Sequence, residues 1–80
     1  MHDKKKYQNI FIKSLSIEPT KFNENLKYNE IPEWDSIGHM SLVAALEEEY
    51  KINLETDDIV DFSSFKKGKE LLKKYNINIL

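Results

Sequence analysis

Residues 35–50 constrain the fold more than any other segment, because a helix start is followed there by a helical pattern. Asp35 is a good N-cap, since its carboxylate can accept one of the unpaired N–H groups of a first helical turn, and Ser36 follows it. At about 100° per residue, one face of this helix carries His39, Leu42, Val43, Leu46 and Tyr50. The segment therefore predicts an amphipathic helix over residues 36 to about 50, with that face toward the core and Ser36 at its exposed start.

The opposite side of this helix carries a second apolar stripe that folding does not require. Ile37, Met40 and Ala44 lie there, beside Glu47 and Glu48. Scattered apolar residues are common on protein surfaces, so each of them alone needs no explanation. A contiguous stripe that adjoins Ser36 and is bordered by acids is better explained as a contact surface. We therefore predict a partner-binding surface formed by Ile37, Met40, Ala44, Glu47 and Glu48.

Three further helices are predicted on the two sides of this segment. Residues 3 to about 16 repeat apolar side chains at helical spacing. Residues 56 to about 61 form a short third helix capped by the hydroxyl of Thr56, and a serine-capped last helix runs to about residue 75. Gly68 lies inside that last helix, where glycine costs about 1 kcal/mol relative to alanine, and close approach of another helix is the expected compensation.

Residues 17–34 form a long connection between the first two helices. Two prolines punctuate it, and neither a period of two nor a helical period persists. A loop of this length in a compact domain is usually functional or packed by its own side chains. The residues expected to pack it down are Leu26, Tyr28, Ile31 and Trp34.

The whole chain is short and lacks cysteine, which bounds its class. Its 80 residues predict one domain over residues 1–80, with a core at about 4–75 and a tail at 76–80 that no pattern places. A disulfide scaffold and a cysteine-based metal site are excluded, and the three aspartates of 57–61 lack the spacing of a calcium loop. No stretch resembles a signal peptide or a membrane span. We therefore expect a cytoplasmic monomer without a metal site and without membrane insertion.

Charge is distributed unevenly along the chain. Residues 29–61 carry ten acids against one lysine, whereas six lysines face three acids in residues 1–28 and five face one acid in residues 62–80. A surface of one sign attracts partners of the other sign. The acidic middle, which contains Ser36, therefore favours a basic protein partner and argues against nucleic acid.

The motif Asp35-Ser36-Ile37, followed by Met40 and by the apolar, acid-ended residues 42–50, resembles the acyl carrier protein family. The resemblance covers residues 7–75 and implies an all-α four-helix bundle of acyl-carrier type, with a long loop between helices 1 and 2 and a short third helix. Two positions depart from the family pattern: Gly38 stands where an acid is frequent, and Ile37 replaces the usual leucine. Both departures are expected on the partner-facing surface.

The family resemblance also implies a function for Ser36. A phosphopantetheinyl transferase would attach 4′-phosphopantetheine from coenzyme A to Ser36, and Asp35 would help to hold the magnesium ion used in that transfer. Acyl groups would then travel as thioesters on the arm to acyl-loading and acyl-processing enzymes with basic docking patches. The chain itself would perform no catalysis. The cargo stays open among fatty acyl, hydroxyacyl, aminoacyl and other small acyl groups.

Two other interpretations of Ser36 follow from the residues themselves. In a hydrolase, His39 three positions further on would act as the base for a Ser36 nucleophile, although its angle sends it to the core face. In an unmodified acidic helical adaptor, Asp35 and Ser36 would only begin the helix, and its acidic face would bind a basic partner. We predict the carrier function, with the adaptor as the alternative.

Overall fold

The computed structural model describes residues 3–79, which contain four α-helices and no strand, as predicted for an all-α fold. Their bounds are Lys4–Ser14 for α1, Ser36–Tyr50 for α2, Thr56–Asp61 for α3 and Phe65–Lys73 for α4. A short 3₁₀ turn, Pro19–Lys21, lies in the connection between α1 and α2. The predicted order of one long loop, one central helix and one short third helix is confirmed.

Polar side chains cap three of the four helices. Asp3 accepts a hydrogen bond from the N–H of Lys5 at the start of α1, and Ser64 accepts one from Lys67 at the start of α4. The Asp35 carboxylate accepts from the N–H of Gly38 over 2.8 Å, so the predicted cap of α2 is confirmed. The predicted Thr56 cap is wrong, because the N-cap of α3 is Glu55 and its side chain makes no capping hydrogen bond.

The buried core contains a cluster of aromatic side chains among its leucines and isoleucines. Tyr7, Phe11, Trp34 and Phe65 are each 0% exposed, and the ring of Phe11 lies edge-on to Trp34 and Phe65 at centroid distances of 5.4 and 5.1 Å. Large rings bury much apolar area per residue, which suits a domain with few residues to bury. The predicted core face of α2 is confirmed for its leucines and Val43, while His39 and Tyr50 are half-buried.

Gly68 is required by close packing at the centre of the helices. A Cβ atom at this position would collide with the ring of Phe62 and with the hydroxyl of Tyr7 on α1. The expected close approach of another helix is therefore confirmed. The Tyr7 hydroxyl donates to the carbonyl oxygen of Phe65 over 2.8 Å, which ties α1 to the first residue of α4.

Backbone hydrogen bonds fix the long connection to the junction between α3 and α4. The N–H of Tyr28 donates to the Ser63 carbonyl over 2.9 Å, and the N–H of Phe65 donates to the Leu26 carbonyl over 3.0 Å. Leu26 is buried, as predicted. Asn29, in the left-handed region at φ 67°, closes a turn by donating to the Trp34 carbonyl. This turn brings Trp34 into the core directly before α2 begins.

The residues after α4 also pack on the core. Ile77 and Ile79 are buried at 4% and 9% exposure, although no sequence pattern places them. Leu80, the last residue of the predicted tail, lies outside the described residues. Within residues 3–79 no helix has the length and apolar character needed to cross a membrane.

Candidate functional site

Ser36 is the first residue of α2 and is exposed to solvent. Its Oγ atom lies 3.2 Å from the hydroxyl of Tyr28, and either hydroxyl can donate in this hydrogen bond. Asp35, also exposed, holds the helix end in place through its bond to Gly38. The site therefore presents a primary hydroxyl at the capped end of a 15-residue helix.

The helix end gives the Ser36 hydroxyl a favourable environment for an attached anion. The N–H groups of a first helical turn have no acceptor within the helix, and the helix dipole places partial positive charge there. In α2 the Asp35 cap satisfies the N–H of Gly38, the third residue of the helix. A phosphoryl group on Ser36 would lie in the positive field of this end. The residues present thus fit a phosphodiester at Ser36.

His39 is fully engaged in hydrogen bonds that hold three segments together. The indole Nε1–H of Trp34 donates to Nδ1 of His39 over 2.9 Å, and Nε2 lies 2.8 Å from the carbonyl oxygen of Ile59 on α3. An indole N–H can only donate, so Nδ1 is the acceptor and Nε2 carries the proton that it donates to Ile59. Neither ring nitrogen is left to take a proton from Ser36. This geometry argues against the serine–histidine pair of a hydrolase.

An open cleft of about 270 Å³ adjoins the site. Its lining residues come from the long connection, α2, α3 and the segment after α3: Tyr28, His39, Ile59, Val60, Phe62 and Ser63. Tyr28 lines this cleft and also contacts Ser36, so it lies between the two. The cleft is therefore within reach of a flexible group attached to Ser36.

The residues predicted to bind a partner lie mostly at the surface. Ile37 and Met40 are 79% and 55% exposed, and Ala44 and Glu48 are also exposed. Glu47 differs, because it is half-buried and its Oε2 accepts the N–H of Leu54 over 2.8 Å. This bond secures the loop after α2. Glu47 thus has a structural task whether or not a partner touches it.

Val60 is a surface residue that sequence reasoning missed. It is 75% exposed on α3 and lines the cleft beside Ile59. The six residues of α3 are too few to establish a helical period, so the sequence offered no clear signal for the outward direction of Val60. Ile37 and Met40 on α2 and Val60 on α3 therefore place exposed apolar area on two helices near Ser36.

Gly38 packs against the connection and does not contribute a side-chain surface to a partner. A Cβ atom here would collide with the carbonyl oxygen of Glu33 and would lie 3.1 Å from Cδ2 of Leu15. The expectation that this position lies on the partner-facing surface stays a prediction, although the position has no room for a side chain. An acid at this position would require the Glu33 backbone to move, which gives a physical reason for glycine in this chain.

A second polar cluster joins α3 to the end of α4. Asp58 is 5% exposed and accepts hydrogen bonds from Lys74 Nζ at 2.7 Å and from the Tyr75 hydroxyl at 2.6 Å. These two bonds, with the Lys74 bond the larger cause, hold the pKa of the Asp58 carboxyl below its usual value. The Tyr75 hydroxyl also accepts the N–H of Glu55. The cluster therefore fixes α3, which carries Ile59 and Val60 at the cleft.

A larger cleft, about 560 Å³, lies at the other end of α2. It is formed with α1 and is lined by both lysines and glutamates, including Lys13, Glu48 and Glu49. Ser36 does not line it, so its size alone does not connect it with the candidate chemistry. Among residues 3–79 no group of three or more potential metal-ligating side chains is arranged to hold a metal ion.

Comparison of the chain with protein-family models, with curated proteins and with solved structures found no match in any of the three. A fold alone does not define a function, because one fold serves many activities.

Proposed function

We propose that this protein is an acyl carrier protein of the four-helix type, modified with 4′-phosphopantetheine on Ser36. The observation that carries the proposal is the exposed Ser36 hydroxyl at the capped start of α2, beside an open cleft. The bound arm supplies a terminal thiol on which acyl cargo is held as a thioester. The chain's own residues present that arm to partner enzymes and perform no catalysis.

The modification is a phosphoryl transfer in which Ser36 is the nucleophile. Ser36 Oγ attacks the phosphorus of coenzyme A that bears the pantetheine portion, and a new O–P bond forms. The bond from that phosphorus to the adenosine bisphosphate portion breaks, and the serine proton passes to a base of the transferase. Asp35 is exposed beside Ser36, and its Oδ1 atom accepts the capping hydrogen bond from Gly38. The other carboxylate oxygen, Oδ2, would help to hold Mg²⁺ during the transfer.

The bonds of His39 support a carrier in preference to a hydrolase. Both ring nitrogens are committed, one to Trp34 and the other to the carbonyl of Ile59. A nucleophilic serine that lacks a neighbouring base needs activation from outside. A separate transferase that brings its own base, metal ion and coenzyme A meets that need.

The exposed surface around Ser36 supports docking of basic partner enzymes. Ile37, Met40 and Val60 supply the exposed apolar area, and the acids of residues 29–61 supply negative charge around it. A phosphopantetheinyl transferase, or an acyl-loading or acyl-processing enzyme, would match this surface with an apolar notch inside a basic patch. Charges at such a rim act mainly on the rate of encounter.

The proposed function is tested by modification in solution. The protein is incubated with coenzyme A, Mg²⁺ and a broad-specificity phosphopantetheinyl transferase, and its intact mass is measured. We expect a gain of one phosphopantetheine mass in wild type and no gain in Ser36→Ala, which has no hydroxyl to accept the phosphate. Modification of Ser36→Ala, or the failure of several transferases on folded wild type, would overturn the proposal.

The exposed apolar side chains also favour a second candidate, an unmodified adaptor. Ile37 at 79% exposure and Met40 at 55% could bind a basic groove without any arm on Ser36. In that case Asp35 and Ser36 only begin α2. The mass measurement separates the two, because an adaptor gains no mass, and intact mass of protein from its native host would also report any cargo.

A further inference from the structure

Tyr28 makes a contact that packing of the core does not require. Its side chain is 39% exposed, and its hydroxyl extends to 3.2 Å from Ser36 Oγ. The same ring lines the cleft next to Ser36. A residue that only packed the long connection would not need a hydroxyl at this point.

The backbone and two neighbouring rings fix the position of Tyr28. Its N–H donates to the Ser63 carbonyl over 2.9 Å, and the preceding residue, Lys27, pairs with Ser64 in an isolated β-bridge. The Tyr28 ring lies edge-on to His39 at 5.2 Å and to Trp34 at 6.2 Å between centroids. A side chain held in this way loses little conformational entropy when its hydroxyl forms a hydrogen bond.

Modification of Ser36 changes what the Tyr28 hydroxyl can bond to. In the unmodified chain either of the two hydroxyls can donate. Once Ser36 Oγ becomes an ester oxygen it has no hydrogen, so Tyr28 can only donate. The attached phosphodiester carries negative charge on strongly accepting oxygens, and hydrogen bonds to charged groups are roughly twice as strong as neutral ones.

We propose, on the basis of the proposed attachment at Ser36, that Tyr28 is the positioning residue for the arm. Its hydroxyl donates to the phosphodiester and holds the first part of the arm at the mouth of the cleft that Tyr28 itself lines. The residue thereby directs the arm toward His39, Ile59 and Val60 at the start of its path. Tyr28 acts through the phosphate and does not touch the reacting thioester.

The test compares Tyr28→Phe with wild type before and after modification with coenzyme A. This substitution keeps the ring against His39 and Trp34 and removes only the hydroxyl. A structural role in the connection would lower Tm equally in both forms. The proposed role lowers Tm more in the modified form, by an additional amount of about 4 °C. This is the lower end of the shift expected when a domain of this size loses one hydrogen bond to a charged group.

Phosphorus NMR reports on the phosphodiester directly, and Tyr75→Phe is the matched control. We expect the ³¹P resonance of the modified protein to move in Tyr28→Phe and to stay unchanged in Tyr75→Phe, since the Tyr75 hydroxyl bonds to Asp58 and Glu55. In the control, Tm should fall by the same amount with and without the arm. Equal Tm losses for Tyr28→Phe together with an unchanged ³¹P resonance would overturn the role of Tyr28.

A measurement on wild type keeps the proposal testable if Tyr28→Phe does not fold. The ¹³C resonance of Tyr28 Cζ should move when the arm is attached, while that of Tyr75 Cζ should not. An unmoved Tyr28 resonance in fully modified protein would overturn the inference and leave the proposed function standing. A wild type that never gains the arm would overturn both.

Discussion

The indole N–H of Trp34 donates to Nδ1 of His39 over 2.9 Å, and this bond determines which ring nitrogen of His39 carries the proton. Nε2 then donates to the Ile59 carbonyl, so one imidazole links the end of the long connection, α2 and α3. Trp34 is 0% exposed, so solvent does not reach its N–H to replace a lost acceptor. The arrangement holds the wall of the cleft beside Ser36.

The first prediction concerns this link. His39→Leu keeps a similar side-chain volume but leaves the buried indole N–H without its acceptor. We expect the free energy of unfolding to fall by about 1–3 kcal/mol, measured by urea unfolding. Folded His39→Leu protein should still be modified on Ser36, because His39 is not the base in the proposed transfer.

The matched control for that prediction removes both partners. Adding Trp34→Phe to His39→Leu abolishes the donor, so the double variant should lose less stability than the sum of the two single losses. Strictly additive losses would mean that the Trp34–His39 bond makes no net contribution to folding.

The second prediction concerns Gly38→Ala. Alanine is favoured over glycine inside a helix by about 0.5–1 kcal/mol, but the new Cβ atom would meet the backbone carbonyl of Glu33. A backbone obstacle cannot move aside as a flexible side chain can, so overpacking should outweigh the gain in helix propensity. We expect a net loss of about 1–3 kcal/mol in urea unfolding.

Ser41→Ala, at an exposed position on the same helix, provides the comparison for Gly38→Ala. It should change the free energy of unfolding by less than about 0.5 kcal/mol. A Gly38→Ala protein as stable as wild type would show that the connection before α2 can shift freely and that packing does not require glycine at this position.

The features that could be predicted from sequence are those encoded by neighbouring residues. The Asp35 cap and the spacing of Leu42 and Leu46 are local, and they located α2 and its core face. The Tyr28–Ser36 bond joins positions eight residues apart through a loop without a repeating pattern, so no period indicated it.

Other features depend on long-range contacts that the sequence does not reveal. Asp58 lies in the first turn of α3, yet it is buried because Lys74 and Tyr75, 16 and 17 positions further on, reach it. Ile77 is buried at 4% exposure in a segment too short to show a period. Their environments are set by how the helices pack and not by local pattern.

The third prediction concerns the pH dependence that follows from Asp58. Hydrogen bonds from Lys74 and Tyr75 hold its pKa in the folded state below the ordinary value of 3.8. A carboxyl with a lowered folded pKa stabilises the fold above its unfolded pKa, and that stabilisation is lost as the pH falls through the folded pKa. The difference in unfolding free energy between wild type and Asp58→Asn should therefore be constant near neutral pH and shrink below about pH 4.

The measurement for Asp58 is a series of thermal melts from pH 7 to pH 2. Asp61→Asn, at an exposed position on the same helix, controls for the general effect of removing an acid and should change stability by less than about 0.5 kcal/mol at pH 7. A stability gap between wild type and Asp58→Asn that persists unchanged at pH 2 would contradict the ionic contribution of this cluster.

The last prediction concerns how a transferase reaches Ser36. Glu48 is the acid to reverse, because Glu47 also secures the Leu54 N–H and its replacement would disturb the loop after α2. Glu48→Lys should slow modification at low ionic strength on the order of fivefold. The substitution changes the charge at this position by two units, and a basic partner senses that change through water. Salt screens such charges over about 10 Å at 0.1 M, so the rates of variant and wild type should converge as salt rises.

Met40→Ala separates apolar contact from charge at the same surface. Met40 is 55% exposed, so its truncation should leave the fold intact, and the lost contact is not screened by salt. Its modification rate should therefore stay below that of wild type at every ionic strength.

Glu70→Lys, an exposed charge reversal on α4 outside the proposed contact surface, is the control, and circular dichroism checks that each variant is folded. Equal low-salt rates for Glu48→Lys and wild type would remove Glu48 from the docking surface, while a Met40→Ala deficit that vanished in salt would remove the apolar contact.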